Sequence, residues 1–334
     1  MTDPERLATR LVEGDRRALA QSITLVESTR FDHRSEAAAL LDAVLARTGA
    51  AIRLGITGTP GAGKSTFIEE LGSHLTAAGH RLAVLAVDPS SRRSGGSILG
   101  DKTRMERLAR DPHAFIRPSP SGGSVGGVAR RTREAALLCE AAGFDVIVVE
   151  TVGVGQSEVA VADMVDCFCL IVAPGAGDEL QGIKRGIIEL ADVVVVNKAD
   201  GDLLPAARRA MADYRQAAHL LRPKHTGWEV PVLATSALQG AGVDEVWAVV
   251  EKLVAHLRED AALDRLRAAQ AVAWMWDEIR EHLIDSFRQD PRVAGCWSDT
   301  EEAVRAGDLS PSTAARRLLE AHGVAPGDGE ARAG

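Results

Sequence analysis

Short apolar runs alternate with amphipathic stretches between residue 51 and about residue 258. Several runs are unbroken, as expected for strands of a sheet that is covered by helices on both faces. Helical stretches separate most of the runs, and this alternation predicts a doubly wound, mainly parallel α/β sheet. Ligands of such sheets bind beyond the carboxyl ends of the strands. The predicted strands are Ile52–Ile56, Leu82–Val87, Ala114–Ile116, Val146–Val149, Phe168–Val172, Val193–Val196 and Val232–Ala234.

Residues 1–48 are predicted to form a helical extension that precedes this domain. Apolar residues recur there at helical spacing from Leu7 to Val26. The pair Gly14-Asp15 interrupts the pattern and indicates a break between helices. A further helix is predicted to run to Arg47, with Ser35 as its N-cap.

The alternation ends after residue 258, so we expect a sheet domain over 49–258 and a helical arm over 259–334. A helical stretch of about 30 residues would span about 45 Å and is ended by Pro291. A last helix begins after Ser310, and residues 326–334 are expected to be disordered. The arm packs either on a second subunit or back on its own domain. The long helix carries an apolar stripe of Trp276, Ile279, Leu283 and Phe287.

A phosphate-loop motif of the form G-x-x-x-x-G-K-[ST] follows the first predicted strand and precedes a predicted helix. Such a loop surrounds phosphates with backbone N–H groups and the N-terminus of a helix. Lys64 would reach the β- and γ-phosphates, and the Ser65 hydroxyl would bind Mg²⁺. A nucleoside triphosphate is therefore the predicted ligand. The candidate ligand residues are Gly58, Thr59, Pro60, Gly61, Ala62, Gly63, Lys64, Ser65 and Thr66.

The sequence Asn197-Lys198-Ala199-Asp200, directly after a predicted strand, matches the N-K-x-D pattern that recognises guanine. The Asp200 carboxylate can accept two hydrogen bonds from guanine, whereas adenine would leave it facing an acceptor. Asn197 is expected to tie this loop to the phosphate loop, and the stem of Lys198 to lie over the base. A backbone N–H near Ser236 and Ala237 is expected to meet guanine O6. The predicted ligand is therefore GTP or GDP with Mg²⁺.

A third motif, Glu150-Thr151-Val152-Gly153, stands where Ras-type GTPases have Asp-x-x-Gly. The Glu150 carboxylate would bind Mg²⁺ directly or through a water, and the Gly153 N–H would sense the γ-phosphate. Ras-type proteins place a water-orienting Gln after this glycine, but Val154 stands there in this chain. We therefore expect slow intrinsic hydrolysis. Asp88 and Asp101 are candidates for orienting water or binding Mg²⁺; the alternative for each is a helix N-cap.

Composition narrows the function classes further. The net charge of −8 across 334 residues argues against a general nucleic-acid binder. No apolar run is long enough to span a membrane, and the N-terminus lacks the features of a signal peptide. Four cysteines are too few for a disulfide framework, which suits the cytoplasm. Cys167 and Cys169 are expected to be buried structural residues rather than metal ligands.

The chain resembles the MeaB family, the GTPases associated with methylmalonyl-CoA mutase that were formerly called ArgK or lysine/arginine/ornithine transport kinases. The resemblance covers most of the chain, and the C-terminal arm matches only loosely. The matching stretches are Gly14–Ala20, Ile23–Ser28, Gly55–Ser65, Val87–Ser91, Gly100–Met105, Glu150–Glu158 and Pro174–Lys184.

This resemblance implies a cytoplasmic, homodimeric P-loop GTPase of the SIMIBI class. Its implied role is that of a chaperone for an adenosylcobalamin-dependent methylmalonyl-CoA mutase. It would gate cofactor loading, protect the mutase from inactivation and be stimulated by it. The cobalamin adenosyltransferase is a further candidate partner. In this family the segment that contains Asp178, Glu179 and Lys184 is an extra switch that relays the nucleotide state; without the resemblance these charges are simply solvated.

Two other functions stay open at this point. A nickel or cobalt metallochaperone GTPase needs a Cys/His cluster near the nucleotide domain, and the sequence has no such cluster. A small-molecule kinase usually prefers ATP, which Asn197–Asp200 opposes.

Overall fold

The computed structural model describes residues 3–28, 30–87, 105–118, 125–151, 158–175 and 185–324 of the chain. The predicted disordered segment, 326–334, lies outside these ranges. The chain divides into two compact units, with the boundary between Ala271 and Val272. Each unit is described by itself.

The strands agree with the predicted runs to within two residues at each end. They are β1 Ile52–Gly58, β2 Leu82–Val87, β3 Ala114–Arg117, β4 Val146–Thr151, β5 Cys167–Val172, β6 Val193–Val196 and β7 Val232–Ala234. The helices of the first unit are α1 Pro4–Val12, α2 Arg16–Val26, α3 Phe31–Val44, α4 Lys64–Ala77, α5 Glu106–Arg110, α6 Val125–Ala141, α7 Glu158–Ala162, α8 Arg185–Leu190, α9 Leu204–His219 and α10 Val243–Glu259. Helix α11 Ala262–Gln289 crosses the boundary, and α12 Pro291–Ala306 and α13 Pro311–Ala321 follow it.

The strands form one seven-stranded sheet in the order β3-β2-β4-β1-β5-β6-β7 within the described residues. Every pair of neighbouring strands in this sheet is parallel. Strands β2 and β3 lie on one side of the central pair of β4 and β1, whereas β5, β6 and β7 lie on the other. The order therefore reverses between β1 and β4, and ligands of doubly wound sheets bind outside the carboxyl ends of strands at such a point. The predicted fold class is confirmed.

Both faces of the sheet are covered, which explains the unbroken apolar runs. One face packs on the P-loop helix α4 and on α10, through fully buried side chains such as Phe67 and Val250. The other face packs on α6, α7 and the three N-terminal helices, through Leu11, Leu19 and Ile23 among others. The N-terminal helices therefore share the core of the nucleotide domain.

Helix α3 begins earlier than the sequence suggested, so the assignment of Ser35 as its N-cap is wrong. The helix starts at Phe31, after Arg30, whose side chain makes no capping bond. Ser35 lies inside the helix, where its hydroxyl donates to the carbonyl of Asp32 at 3.3 Å. Burial of Leu40 and Val44 against the core stabilises the helix, so a side-chain cap is not required.

Pro291 ends the long helix, as predicted, but it also begins a helix that the sequence pattern missed. Asp290 caps α12 by accepting a hydrogen bond from the Arg292 N–H at 2.9 Å, and Pro291 occupies the first turn. Proline lacks an N–H, which is tolerated at this position of a helix. The Ser310 cap of α13 is confirmed, because its hydroxyl accepts from the Thr313 N–H at 3.2 Å.

The four cysteines differ in exposure. Cys139, Cys167 and Cys169 are fully buried, and Cys296 in α12 is partly exposed. Burial raises the pKa of the Cys169 thiol to about 12 and also raises the pKa of Cys139 and Cys167. The three buried thiols therefore stay protonated and pack as small apolar groups. Among the described residues, no helix combines the length and apolar character needed to cross a membrane.

Candidate nucleotide-binding site

The phosphate loop connects β1 to α4 at the carboxyl edge of the sheet. Its backbone turns sharply, with Gly63 at φ +90° immediately before the helix. A Cβ atom at Gly63 would lie 2.5 Å from the side-chain nitrogen of Asn197, and one at Gly58 would lie 1.9 Å from the carbonyl oxygen of Ile171. Both positions therefore require glycine for close approach as well as for conformation. The turn is closed by a bond from the Ala62 N–H to the Thr59 carbonyl at 3.1 Å.

The side chain of Lys64 folds back over the phosphate loop. Its ammonium group donates to the carbonyl oxygens of Gly58 at 2.8 Å and Thr59 at 3.2 Å. The residue is only 7% exposed. A positive charge is thus held at the centre of the loop, where a phosphate group could replace the carbonyls as its partner.

Ser65 and Glu150 come together at the start of α4 and the end of β4. The Ser65 hydroxyl donates to the Glu150 carboxylate at 3.0 Å, although the residues are far apart in sequence. Glu150 is 7% exposed. A hydroxyl and a carboxylate are hard oxygen donors of the kind that Mg²⁺ prefers. The donor set present therefore fits a magnesium ion at this point.

Asn197 joins the base-recognition loop to the phosphate loop, as predicted. Its side-chain amide donates to the Ala62 carbonyl at 2.9 Å. Its side-chain oxygen accepts from the Ala237 N–H at 3.0 Å and from the Thr235 hydroxyl at 3.2 Å. The residue is 1% exposed. One buried amide thus fixes three loops at the same edge of the sheet.

Asp200 lies beside the loop that follows β7. Its carboxylate accepts a hydrogen bond from the Ser236 hydroxyl. Lys198 is exposed and has a positive φ of 59°. The N–H groups of Ser236 and Ala237 already donate to Ala241 and Asn197. A contact between either N–H and guanine O6 would therefore share or replace one of these bonds, and it stays a prediction.

The structure adds three residues to the predicted site, and six of the predicted residues lie outside the described ranges. Thr57, Thr151 and Thr235 form buried hydroxyl contacts in the site that the motifs did not single out. The sequence signal that could have identified them is a threonine at the end of an otherwise apolar strand. The predicted site residues Asp88, Asp101, Gly153, Asp178, Glu179 and Lys184 lie outside the described residues.

Comparison with known proteins identifies the family. The model for the methylmalonyl-CoA mutase-associated GTPase MeaB matches residues 19–292. The chain belongs to the MeaB family. A Caulobacter vibrioides protein named as a GTPase is 58% identical over 323 residues, which are 96% of this chain and 98% of that protein. The GTPase ArgK of Escherichia coli is 48% identical over 93% of this chain and 94% of its own length.

Two further similarities extend the MeaB comparison. The mouse methylmalonic aciduria type A homolog, a mitochondrial protein, is 50% identical over 95% of this chain and 79% of its own length. A crystal structure described as a LAO/AO transport system kinase has a TM-score of 0.75 and 40% identity, and covers 96% of this chain and 98% of that one. Membership of the family shows that this chain is a P-loop GTPase, linked to methylmalonyl-CoA mutase, that binds and hydrolyses GTP.

Proposed function

We propose that the chain is a Mg²⁺-dependent molecular switch and a chaperone of an adenosylcobalamin-dependent methylmalonyl-CoA mutase in the cytoplasm. It would gate loading of the cobalamin cofactor and protect the mutase from inactivation. The observation that carries the switch is the side-chain amide of Asn197, which belongs to the base-recognition loop. It donates to the phosphate loop at 2.9 Å and accepts from Ala237, in the loop after β7, at 3.0 Å. One side chain thereby connects the residues predicted to contact the base with those predicted to contact the phosphates. The mutase as partner rests on the family match over residues 19–292.

In this proposal each described residue has a distinct role. The ammonium of Lys64 would exchange its two carbonyl partners for phosphate oxygens, and Ser65 and Glu150 would hold Mg²⁺. The carboxylate of Asp200 accepts from the guanine edge, and the Ser236 hydroxyl orients that carboxylate. A bound Mg²⁺ would neutralise charge on the β- and γ-phosphate oxygens. These residues would bind and position GTP, but none of them is assigned to orient the attacking water.

Slow intrinsic turnover suits a switch, because each nucleotide state must persist long enough to be read by a partner. Val154, in place of the Ras-type glutamine, is the sequence feature behind this expectation. Reading of the nucleotide state requires that the mutase binds the GTP and GDP states with different affinity. Stimulation by the mutase would require that it stabilises the transition state of hydrolysis more than bound GTP. Asp88 and Asp101 remain the candidates within this chain for orienting water, and Asp178, Glu179 and Lys184 for relaying the nucleotide state.

The direct test measures GTP turnover by the purified chain with and without the cognate methylmalonyl-CoA mutase. We expect the rate to rise when the mutase is added and the two proteins to co-purify. Serum albumin at the same concentration is the control for nonspecific stabilisation, and the cobalamin adenosyltransferase forms a third arm. An unchanged rate together with no detectable complex would reject the chaperone role. That outcome would leave the assignment of the chain as a GTPase unchanged, because turnover without the mutase is measured separately.

The long helix α11 suggests how two copies would associate. The part of its apolar stripe that precedes Phe287, together with Val272 and Met275, is solvent-exposed in the single chain, which is unusual for so many large apolar side chains on one helix. We therefore propose that a second copy of the chain covers it. The exposed fractions are 54% for Val272, 49% for Met275, 55% for Trp276, 38% for Ile279 and 63% for Leu283.

Sedimentation velocity tests this association. The unaltered chain should sediment as a dimer, and Trp276→Glu should shift it toward the monomer because a buried charge would be unpaired in the interface. Leu220→Glu is the matched control, since Leu220 is 75% exposed at the end of α9, outside the stripe. A monomer for the unaltered chain would reject the dimer.

A further inference from the structure

Two buried threonines contact each other at the point beside the nucleotide site where strands β1 and β4 stop pairing. The hydroxyl oxygens of Thr57, in β1, and Thr151, in β4, lie 2.8 Å apart and share a hydrogen bond. Thr57 is 1% exposed and Thr151 is fully buried. Thr57 directly precedes the phosphate loop, and Thr151 directly follows Glu150. The pair therefore joins the two segments that supply the predicted phosphate and magnesium contacts.

The position of this bond in the sheet is informative. The pairing between β1 and β4 ends at Ile56 and Glu150. Beyond that point β1 continues alongside β5 as far as Gly58, and β4 continues alongside β2 as far as Thr151. The threonines occupy the next register position between β1 and β4. Their side-chain bond thus connects the two strands just past the end of their backbone pairing.

Packing alone does not explain two hydroxyls at this position. Valine has nearly the same shape as threonine, and a valine pair would avoid the cost of burying polar groups. A hydrogen bond between hydroxyls adds direction, which an apolar contact lacks. Glu150 and Thr151 are adjacent in one strand, so their side chains point to opposite faces of the sheet. Fixing Thr151 from one face therefore limits how far Glu150 can move on the other.

We propose that Thr57 and Thr151 are a positioning pair for the magnesium site. Their hydroxyl bond holds the end of β4 against the phosphate strand, so that the Glu150 carboxylate stays beside the Ser65 hydroxyl, 3.0 Å away. Neither threonine touches the nucleotide or the ion in this role. The inference rests on the proposed assignment of Ser65 and Glu150 to Mg²⁺, and it predicts a defect in Mg²⁺ dependence rather than in guanine recognition.

The test compares Thr57→Val, Thr151→Val and the double variant in the full-length chain. Dissociation of a fluorescent GDP is followed over a range of Mg²⁺ concentrations, and GDP affinity is measured separately in EDTA. Thr132→Val is the matched control, since Thr132 is also buried but its hydroxyl bonds within its own helix, to the Val128 carbonyl at 2.9 Å. Thr57→Ser and Thr151→Ser retain the hydroxyls.

We expect each valine variant to need about fivefold more Mg²⁺ for half-maximal slowing of GDP release, as the loss of one net hydrogen bond would give. GDP affinity in EDTA should stay within about twofold of the unaltered chain. The double variant should match the single variants, because the same bond is lost, and the serine variants should resemble the unaltered chain. The double variant should also fold well, because replacing both partners by apolar groups of the same shape is nearly neutral.

Two results would overturn the inference. A Mg²⁺ midpoint within about twofold of the unaltered value in the double valine variant, with GDP still bound, would leave the pair a purely structural contact. Failure of the unaltered chain to bind GDP would overturn the nucleotide site as well. GDP binding by the unaltered chain distinguishes the two failures, because only the second one abolishes it.

Discussion

At the amino ends of the strands, the buried carboxylates Asp166 and Glu140 are paired with arginines. At the carboxyl ends, the buried Glu150 and the partly buried Asp200 are bonded to serine hydroxyls. Asp166, which is fully buried, accepts from the guanidinium of Arg267 at 2.7 Å and from the Arg53 N–H at 2.8 Å. Glu140 accepts from the Arg53 guanidinium and from the Gly49 N–H at 2.6 Å. Glu150 and Asp200 accept from the hydroxyls of Ser65 and Ser236.

The difference separates structural charges from candidate functional ones. A buried guanidinium–carboxylate pair is costly to break, because either partner alone leaves an uncompensated charge. Its strength is evident at Arg267, where burial alone would lower the pKa but the hydrogen bond and charge of Asp166 raise it. A neutral hydroxyl is a weaker partner that a cation or a base N–H can replace. Burial of a carboxylate is therefore less informative about function than the kind of partner it has.

The sharpest test of this contrast is Lys64→Ala at the carboxyl edge. Loss of the ammonium removes the charge that the phosphate loop offers to the β- and γ-phosphates, so GTP turnover should fall by about a thousandfold or more. Lys252→Ala, an exposed lysine of α10, should turn over GTP at the unaltered rate. Turnover is measured as phosphate release at saturating GTP. Comparable rates in the two variants would show that the phosphate-loop assignment is wrong.

Asp200→Asn should produce the next largest effect. Two charge-assisted hydrogen bonds to guanine are weakened, so GDP affinity should fall by about a hundredfold, measured by calorimetry. Xanthosine diphosphate has a carbonyl in place of the guanine amine, and an asparagine amide can donate to it, so that nucleotide should bind the variant better than GDP does. The control is Asp202→Asn, an exposed carboxylate of the same loop. Equal affinity of the unaltered chain for ADP and GDP would contradict the base assignment.

Asp166→Asn probes the amino edge and should act on stability alone. Breaking the buried pair with Arg267 should lower the free energy of unfolding by about 3 kcal/mol or more in urea titrations, while GDP affinity of the folded variant stays unchanged. Glu301→Gln removes one member of an exposed pair with Arg305 and should give no measurable change in stability. The contrast between the edges would fail if Asp166→Asn weakened GDP binding about tenfold without lowering stability.

The sequence predicted the sheet well because each strand is a compact apolar run bounded by polar residues. Local motifs likewise predicted Lys64, Ser65, Asn197 and Asp200, since their chemistry depends on spacing within a few residues. The Asn197 bond to the phosphate loop was also predicted, because the two motifs occur in a fixed order along the chain.

Contacts between distant residues were harder to anticipate. Nothing local in the sequence pairs Asp166 with Arg267 or Thr57 with Thr151, because their proximity is set by the order of the strands. Helix α12 was missed for a different reason: Pro291 marks the end of one helix, but proline is equally suited to the first turn of the next. The Ser35 cap was wrong because core burial, rather than a side-chain cap, sets where α3 begins.

The unequal burial of the four cysteines offers a practical means of observing the molecule. Three thiols are fully buried, and only Cys296 is partly open to solvent. A thiol-reactive dye added to the native protein should therefore attach to α12 alone, without any engineered residue. If two copies associate through α11, each complex would carry one dye per chain. Energy transfer between the dyes could then report assembly of the complex.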